Sequence, residues 1–77
     1  MSKVFNRIKI FRVAKGISQQ ELADRVGANR QTIGFLERQE YNPSIALALK
    51  IASVFDVDVH KVFSLDPFPA LEKLLSI

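Results

Sequence analysis

Apolar residues recur every three or four positions along most of this chain, which is the spacing that predicts amphipathic helices. Ile8 and Phe11 point inward in the first predicted helix, and Ile33 and Leu36 do so in the third. Short connections between such helices favour an all-α fold, a compact five-helix bundle. The helices are predicted at about Val4 to Ala14, Gln19 to Val26, Arg30 to Arg38, after Ser44 and, as a short helix, after Asp58.

Capping and turn residues mark the ends of the second and third helices. Ser18 and Glu21 have the spacing of a capping box, and Asn29 is a favourable N-cap for the third helix. Gly27 lies between these helices, where the chain must reverse and glycine takes a positive φ without strain. The segment from Ser18 to Arg38 therefore predicts a helix, a tight turn and a second helix.

The sequence changes character after the fifth helix. Val62 to Leu65 could form a short edge strand, but no other segment alternates clearly. Pro67 and Pro69 then break the chain, which separates a main domain, residues 1–65, from a tail, residues 66–77. The tail can form one or two helical turns, with its leucines on one side: Leu71, Leu74 and Leu75.

Composition excludes several classes of protein. The 77 residues suit one small domain, and a chain with no cysteine and one histidine supports neither disulfides nor a zinc site. We expect no metal, no cofactor and no enzymatic activity, because no nucleophile–base pair is recognisable. The apolar runs are too short to span a membrane and the N-terminus lacks a signal peptide's apolar core, so a cytoplasmic location is expected.

The net charge of +3 is small, but the charges are unevenly distributed. A basic N-terminal half suits a polyanionic partner, and an acidic C-terminal half would face away from it. Ordinary surface charge for solubility is the alternative explanation. The basic residues in and around the first helix are Lys3, Arg7, Lys9, Arg12 and Lys15, and the acidic residues of the second half include Asp56, Asp58, Asp66 and Glu72.

The outward face of the third helix carries candidate base-reading side chains. Arg and Gln at the exposed start of such a helix hydrogen-bond the edges of guanine and adenine in a major groove. We therefore expect Arg30 and Gln31 to contact bases of double-stranded DNA, although exposed Arg and Gln also occur on ordinary solvated faces. The outward residues are predicted to be Arg30, Gln31, Gly34, Phe35 and Arg38.

The spacing of five residues resembles the pattern of a known family. Gln19, Ala23, Gly27, Ile33 and Glu37 are followed by the segments NPS and LALKIA. This pattern is similar to that of helix-turn-helix regulators of the Cro/lambda-repressor type, or XRE family, in their small stand-alone branch. The resemblance implies a lambda-repressor-like five-helix fold and a sequence-specific transcriptional regulator.

The resemblance also implies roles for single residues. Gln19 matches a glutamine that clamps a DNA phosphate, helped by the helix N-terminus. Arg12 and Glu37 match a buried structural pair that joins the first helix to the third. Thr32 could reach a phosphate or cap its own helix. Further candidate phosphate contacts are Asn29, Arg38, Tyr41 and Asn42.

Two departures from the family pattern affect the third helix. Gln39 stands where glycine is frequent, so this helix end is expected to differ or to be strained. Gly34 costs about 1 kcal/mol of helix propensity, but it lets the backbone approach DNA closely. Phe35 contacts either a thymine methyl group or the loop near Tyr41. Gly34 and Phe35 are therefore also candidate base contacts.

Apolar residues beyond the needs of one small bundle indicate a partner. Val62, Phe63 and Leu65 are the expected contacts of a homodimer, which would repress transcription from a near-palindromic operator. The tail leucines either join that interface or fold back over Ile10 and Val13. The competing hypothesis is an antitoxin-like or adaptor protein whose main role is protein binding.

Overall fold

Five α-helices and one small sheet make up residues 3–69, the part of the chain that the structure, a computed structural model, describes. The prediction of five helices is confirmed within this range, and none of its helices is long and apolar enough to cross a membrane. The elements in chain order are β1 (Phe5–Asn6), α1 (Ile8–Lys15), α2 (Gln19–Val26), α3 (Arg30–Glu37), α4 (Ile45–Val54), α5 (Val59–Val62) and β2 (Phe63–Ser64).

Local capping interactions explain why α2 has its predicted bounds. The Ser18 hydroxyl accepts a hydrogen bond from the Glu21 N–H at 3.0 Å, and the Glu21 carboxylate accepts one from the Ser18 N–H at 3.4 Å. Gly27 ends the helix at φ +70°, in the left-handed region that glycine enters without strain. The helix, the turn and the start of α3 are therefore encoded locally.

The first helix begins later than predicted. Residues 5 and 6 are extended, because β1 pairs antiparallel with β2 in the register Phe5 to Ser64 and Asn6 to Phe63. The side chain of Asn6 then supports the first residue of α1: its Oδ1 accepts a hydrogen bond from the Ile8 N–H at 3.1 Å. The edge strand predicted within 62–65 is present as β2, but its partner was wrongly assigned to a helix, since the pairing joins opposite ends of the chain.

The core lies where the helices meet, and it includes the apolar side chains at the junction of α5 and β2. Val62 is fully buried and Phe63 is only 8% exposed, so the prediction that these two residues contact a second copy is wrong. They are needed to complete the chain's own core, whereas Leu65 is 67% exposed. The fully buried large side chains are Ile8, Leu22, Ile33, Leu36, Ile51 and Val62.

Within residues 3–69, two non-glycine residues adopt positive φ, and each follows the end of a helix. Gln39 has φ +60° and Asp56 has φ +55°. The left-handed conformation disfavours a side chain with a Cβ, least so for Asn and Asp. Gln39 therefore has the strain expected where glycine is frequent, and its Oε1 is also buried without a hydrogen-bond partner among the described residues.

Candidate nucleic-acid interface

The third helix buries one face and leaves its N-terminal outer face open. Ile33 and Leu36 are fully buried, and α3 packs mainly against α2, where Ala23 is small enough to be enclosed. Arg30 and Gln31 lie in the first turn and are exposed. The apolar periodicity of α3 thus directs two hydrogen-bonding side chains into solvent at the start of the helix.

An open depression of about 270 Å³ lies on this outer face. It brings the four candidate base contacts together with two of the candidate phosphate contacts. Two guanidinium groups and two side-chain amides therefore surround one depression, and these are hydrogen-bonding groups that suit base edges and phosphate oxygens. The lining residues are Gln19, Arg30, Gln31, Gly34, Phe35 and Arg38.

A nearly buried ion pair lies behind this depression. Arg12 donates to Glu37 through Nε at 2.8 Å and through Nη2 at 3.3 Å, and the two side chains are 12% and 6% exposed. Arg12 also donates through Nη1 to the Ile17 carbonyl at 3.0 Å. The Gln19 amide Nε2 donates to Glu37 Oε1 at 3.0 Å. One carboxylate therefore joins α1, the first residue of α2, and α3.

Asn29 and Thr32 use their side chains for hydrogen bonds to each other at the start of α3. Asn29 Oδ1 accepts hydrogen bonds from the Thr32 N–H at 2.8 Å and from the Thr32 hydroxyl at 3.0 Å. Asn29 is therefore the N-cap of α3, as predicted, and Thr32 takes the second of its two expected roles by supporting that cap. Their contact with phosphate stays a prediction.

Gly34 does not present an open backbone, although it was expected on the outward face. It is buried, and a Cβ placed on it would lie 3.3 Å from Arg38 Nη1. The Arg38 guanidinium carbon lies 5.2 Å from the centre of the Phe35 ring, and Arg38 Nε donates to Glu40 Oε1 at 3.0 Å. The side chain of Arg38 therefore covers Gly34, which corrects the prediction that Gly34 itself is open to DNA.

Phe35, Tyr41 and Asn42 follow the outer face toward the loop after α3. Phe35 and Tyr41 are both exposed and line one depression together with Thr32 and Glu40, which fits the expected proximity of Phe35 to that loop. Asn42 Oδ1 accepts a hydrogen bond from the Val4 N–H at 3.1 Å. Asn42 therefore anchors the N-terminal segment, and its predicted phosphate contact is a further role.

Two of the basic residues near the first helix serve the fold. Arg7 donates through Nε and Nη2 to the Lys61 carbonyl at 3.2 and 2.9 Å, and Arg12 belongs to the ion pair described above. Lys9 and Lys15, in contrast, are exposed. The charge count of the sequence therefore overstates the number of cations that a polyanion could meet.

Sequence reasoning missed two residues that shape this surface. Asn6 Nδ2 donates to the Leu36 carbonyl at 2.6 Å, so the end of β1 is tied to the last turn of α3. Glu40 pairs with Arg38, and it is the only acid among the described residues that line the two depressions beside α3. The two-residue spacing of Arg38 and Glu40 was visible in the sequence, whereas the contact of Asn6 with Leu36 depends on the tertiary fold.

The sequence profile of the helix-turn-helix family matches residues 8–62 of this chain. An HTH-type transcriptional regulator of the archaeon Archaeoglobus fulgidus, itself uncharacterised, is 49% identical over 67 residues. That alignment covers 87% of this chain and 94% of the relative.

Two solved structures share both the fold and part of the sequence. The biofilm master regulator SinR in complex with DNA is 42% identical, with a TM-score of 0.66 over 70% of this chain and 87% of that chain. The restriction-modification controller protein C.AhdI of Aeromonas hydrophila is 35% identical, with a TM-score of 0.67 over 70% of this chain and 82% of that chain.

Proposed function

Because the chain belongs to the helix-turn-helix family of the Cro/lambda-repressor type, we propose that this DNA-binding transcriptional regulator is a repressor that binds a near-palindromic operator as a homodimer. The observation that carries the proposal is the exposed start of α3, where Arg30 and Gln31 border the depression also lined by Gln19 and Arg38. Arg30 and Gln31 read base edges in the major groove. Gln19 holds a phosphate next to the N-terminus of α2.

The mechanism is occupancy of the operator. α3 enters the major groove, and the residues at its edges hold the backbone phosphates so that the reading side chains stay in register. A bound protein then excludes or repositions the polymerase. Phosphate contacts make binding steeply salt-dependent, whereas base contacts make it sequence-dependent.

Selection of bound DNA from a random pool, followed by titration of single-base variants, tests the base contacts. We expect Arg30→Ala to cost about 1–3 kcal/mol on the selected site and to relax preference at one or two base pairs. Lys61→Ala is the control, because Lys61 is exposed and lines a separate depression between α4 and α5. If Arg30→Ala weakens binding to all sequences equally, Arg30 is not a base reader.

The homodimer is proposed on geometric grounds. One recognition helix reads only a few base pairs, and a two-fold dimer places two such helices about 34 Å apart, one turn of DNA. Leu65, which is exposed just after β2, is the predicted contact that stays available to a second copy. The leucines of the tail lie outside the described residues.

Sedimentation at micromolar concentration tests the dimer. We expect Leu65→Asp to shift the protein toward the monomer, and we expect Ile45→Asp, which replaces an exposed residue in the first turn of α4, to leave it dimeric. A wild-type monomer that binds one asymmetric site tightly would contradict the proposal. Loss of the dimer only in a chain that ends at Asp66 would move the interface to the tail.

The adaptor hypothesis predicts different binding to DNA. A protein whose main role is protein binding should bind DNA weakly and without sequence preference, and it should lack the steep weakening with salt expected of an operator-binding regulator. The same titrations, repeated at several salt concentrations, therefore distinguish the two functions.

A further inference from the structure

The guanidinium of Arg38 lies about one helical turn closer to the N-terminus of α3 than the Arg38 backbone does. Arg38 is the C-cap residue of α3, where a side chain directed away from the helix would reach a flanking phosphate. Instead, its terminal nitrogens and guanidinium carbon lie 3.3 to 4.0 Å from the position of a Cβ on Gly34, one turn earlier. This places the charge in the depression shared with Arg30 and Gln31.

Three neighbours hold the guanidinium in this position. Gly34 has no side chain, so the guanidinium can lie across the helix there. The Phe35 ring lies 5.2 Å from the guanidinium carbon, within the range of a cation–π contact. The Glu40 carboxylate accepts from Nε at 3.0 Å. Arg38 follows Gly34 by four residues and Phe35 by three, so its side chain can lie against both.

The ion pair uses the inner nitrogen of the guanidinium. Glu40 accepts from Nε, whereas the described part of the chain offers Nη1 and Nη2 no hydrogen-bond acceptor. Two terminal nitrogens in one plane are the donors that bind guanine O6 and N7 as a bidentate pair. The contacts with Phe35 and Glu40 favour this position of the guanidinium, so less side-chain entropy is lost when it binds.

We infer that Arg38 is a third base-reading residue, seated on Gly34 and oriented by Glu40, with a guanine edge as its ligand. This inference rests on the proposed DNA-binding mode, and it reassigns Arg38 from the phosphate contacts to the base contacts. Glu40 is a positioning residue. Its negative charge repels DNA phosphates and therefore lowers the affinity for any DNA sequence. It also keeps the guanidinium in the reading position and therefore increases the discrimination between base pairs.

The test measures binding of the full chain to its selected site, to every single-base variant of that site and to unrelated DNA, all at one salt concentration. We expect Arg38→Ala to lose roughly 5- to 150-fold of discrimination at one base pair and to leave preference at the other positions intact. Arg38→Lys, which keeps the charge, should lose most of the same discrimination because an ammonium group lacks the planar pair of donors.

Glu40→Gln gives the second and more specific readout. It should bind unrelated DNA more tightly, because a negative charge is removed, and it should discriminate less at the same base pair as Arg38→Ala. Asp56→Asn is the matched control, because it removes one exposed carboxylate from the α4–α5 side and Asn also tolerates the positive φ found there. Asp56→Asn should leave discrimination unchanged.

Other outcomes would overturn the inference. Equal weakening of all sequences by Arg38→Ala would make Arg38 a phosphate contact. Equal tightening on all sequences by Glu40→Gln would mean that Glu40 acts through charge alone. If the wild-type protein shows no sequence preference, the proposed function itself is contradicted. If the wild-type protein discriminates between sequences and Arg38→Ala keeps the same preference at every base pair, only the inference about Arg38 is contradicted.

Discussion

Replacement of Glu37 by alanine should destabilise this protein strongly. Glu37 accepts three hydrogen bonds, two from Arg12 and one from Gln19, and only 6% of its side chain is exposed. The substitution strands a guanidinium that is itself only 12% exposed and that keeps one bond, to the Ile17 carbonyl. Removal of one partner of a buried pair typically costs about 3–5 kcal/mol.

That cost is large for a chain of this size. At about 0.05–0.15 kcal/mol per residue, a domain of 77 residues has a free energy of unfolding of roughly 4–12 kcal/mol. Each kcal/mol shifts the melting temperature of a domain of 60–100 residues by about 4–8 °C. We therefore expect Glu37→Ala to lower Tm by at least about 12 °C, measured by circular dichroism during heating.

Glu40→Ala is the matched control. Glu40 pairs with Arg38 at 3.0 Å, close to the 2.8 Å of the Arg12–Glu37 pair, but the two side chains are 58% and 52% exposed. An exposed pair contributes about 0–1 kcal/mol, so the change in Tm should be small. Replacement of both Arg12 and Glu37 by apolar residues of similar volume should recover much of the loss, because no stranded charge remains. Equal Tm values for the two single variants would refute the argument that burial sets the energy.

Two further substitutions, Gln39→Gly and Gly34→Ala, test the C-terminal end and the backbone of α3, and Asp56→Gly after α4 is a comparison for the first. Gln39→Gly should raise the free energy of unfolding by about 0.5–1 kcal/mol in denaturant titrations, because it relieves the strain at φ +60° and removes a buried amide oxygen. Asp56→Gly should give a smaller gain, because Asp tolerates this conformation better than Gln. Gly34→Ala should stabilise the protein by up to about 1 kcal/mol through helix propensity. It should also reduce discrimination between DNA sequences, because the new Cβ would lie 3.3 Å from Arg38 Nη1 and displace the guanidinium. Unchanged discrimination would mean that base reading by Arg38 does not depend on its contact with Gly34.

The parts of the fold that follow from local interactions were predictable from the sequence. Ser18, Glu21 and Gly27 act within a few residues of one another, and they set the bounds of α2 without help from the rest of the chain. The cap of α3 by Asn29 is equally local. The Arg12–Glu37 pair is predictable only from the family resemblance. No local sequence pattern indicates which carboxylate a given arginine contacts.

The parts that depend on long-range contacts were not predictable in the same way. Residues 4–7 have the apolar spacing of a helix, but β pairing with the segment after α5 keeps Phe5 and Asn6 extended. Val62 and Phe63 add apolar surface at the end of α5 and the start of β2, and the number of apolar residues alone does not distinguish an intrachain core from a contact with a partner. The sequence does not indicate that Arg38 covers Gly34, because the position of the guanidinium depends on the side-chain conformation of Arg38.

The small sheet links the proposed dimer contact to the proposed DNA-reading helix. Leu65 follows β2 directly, β2 pairs with β1, and Asn6 of β1 donates to the Leu36 carbonyl in the last turn of α3. Because this connection is made of backbone pairing and one short hydrogen bond, it contains no flexible linker. In the proposed dimer, the position of α3 relative to the two-fold axis is therefore set by the fold itself, as a fixed spacing of two operator half-sites requires.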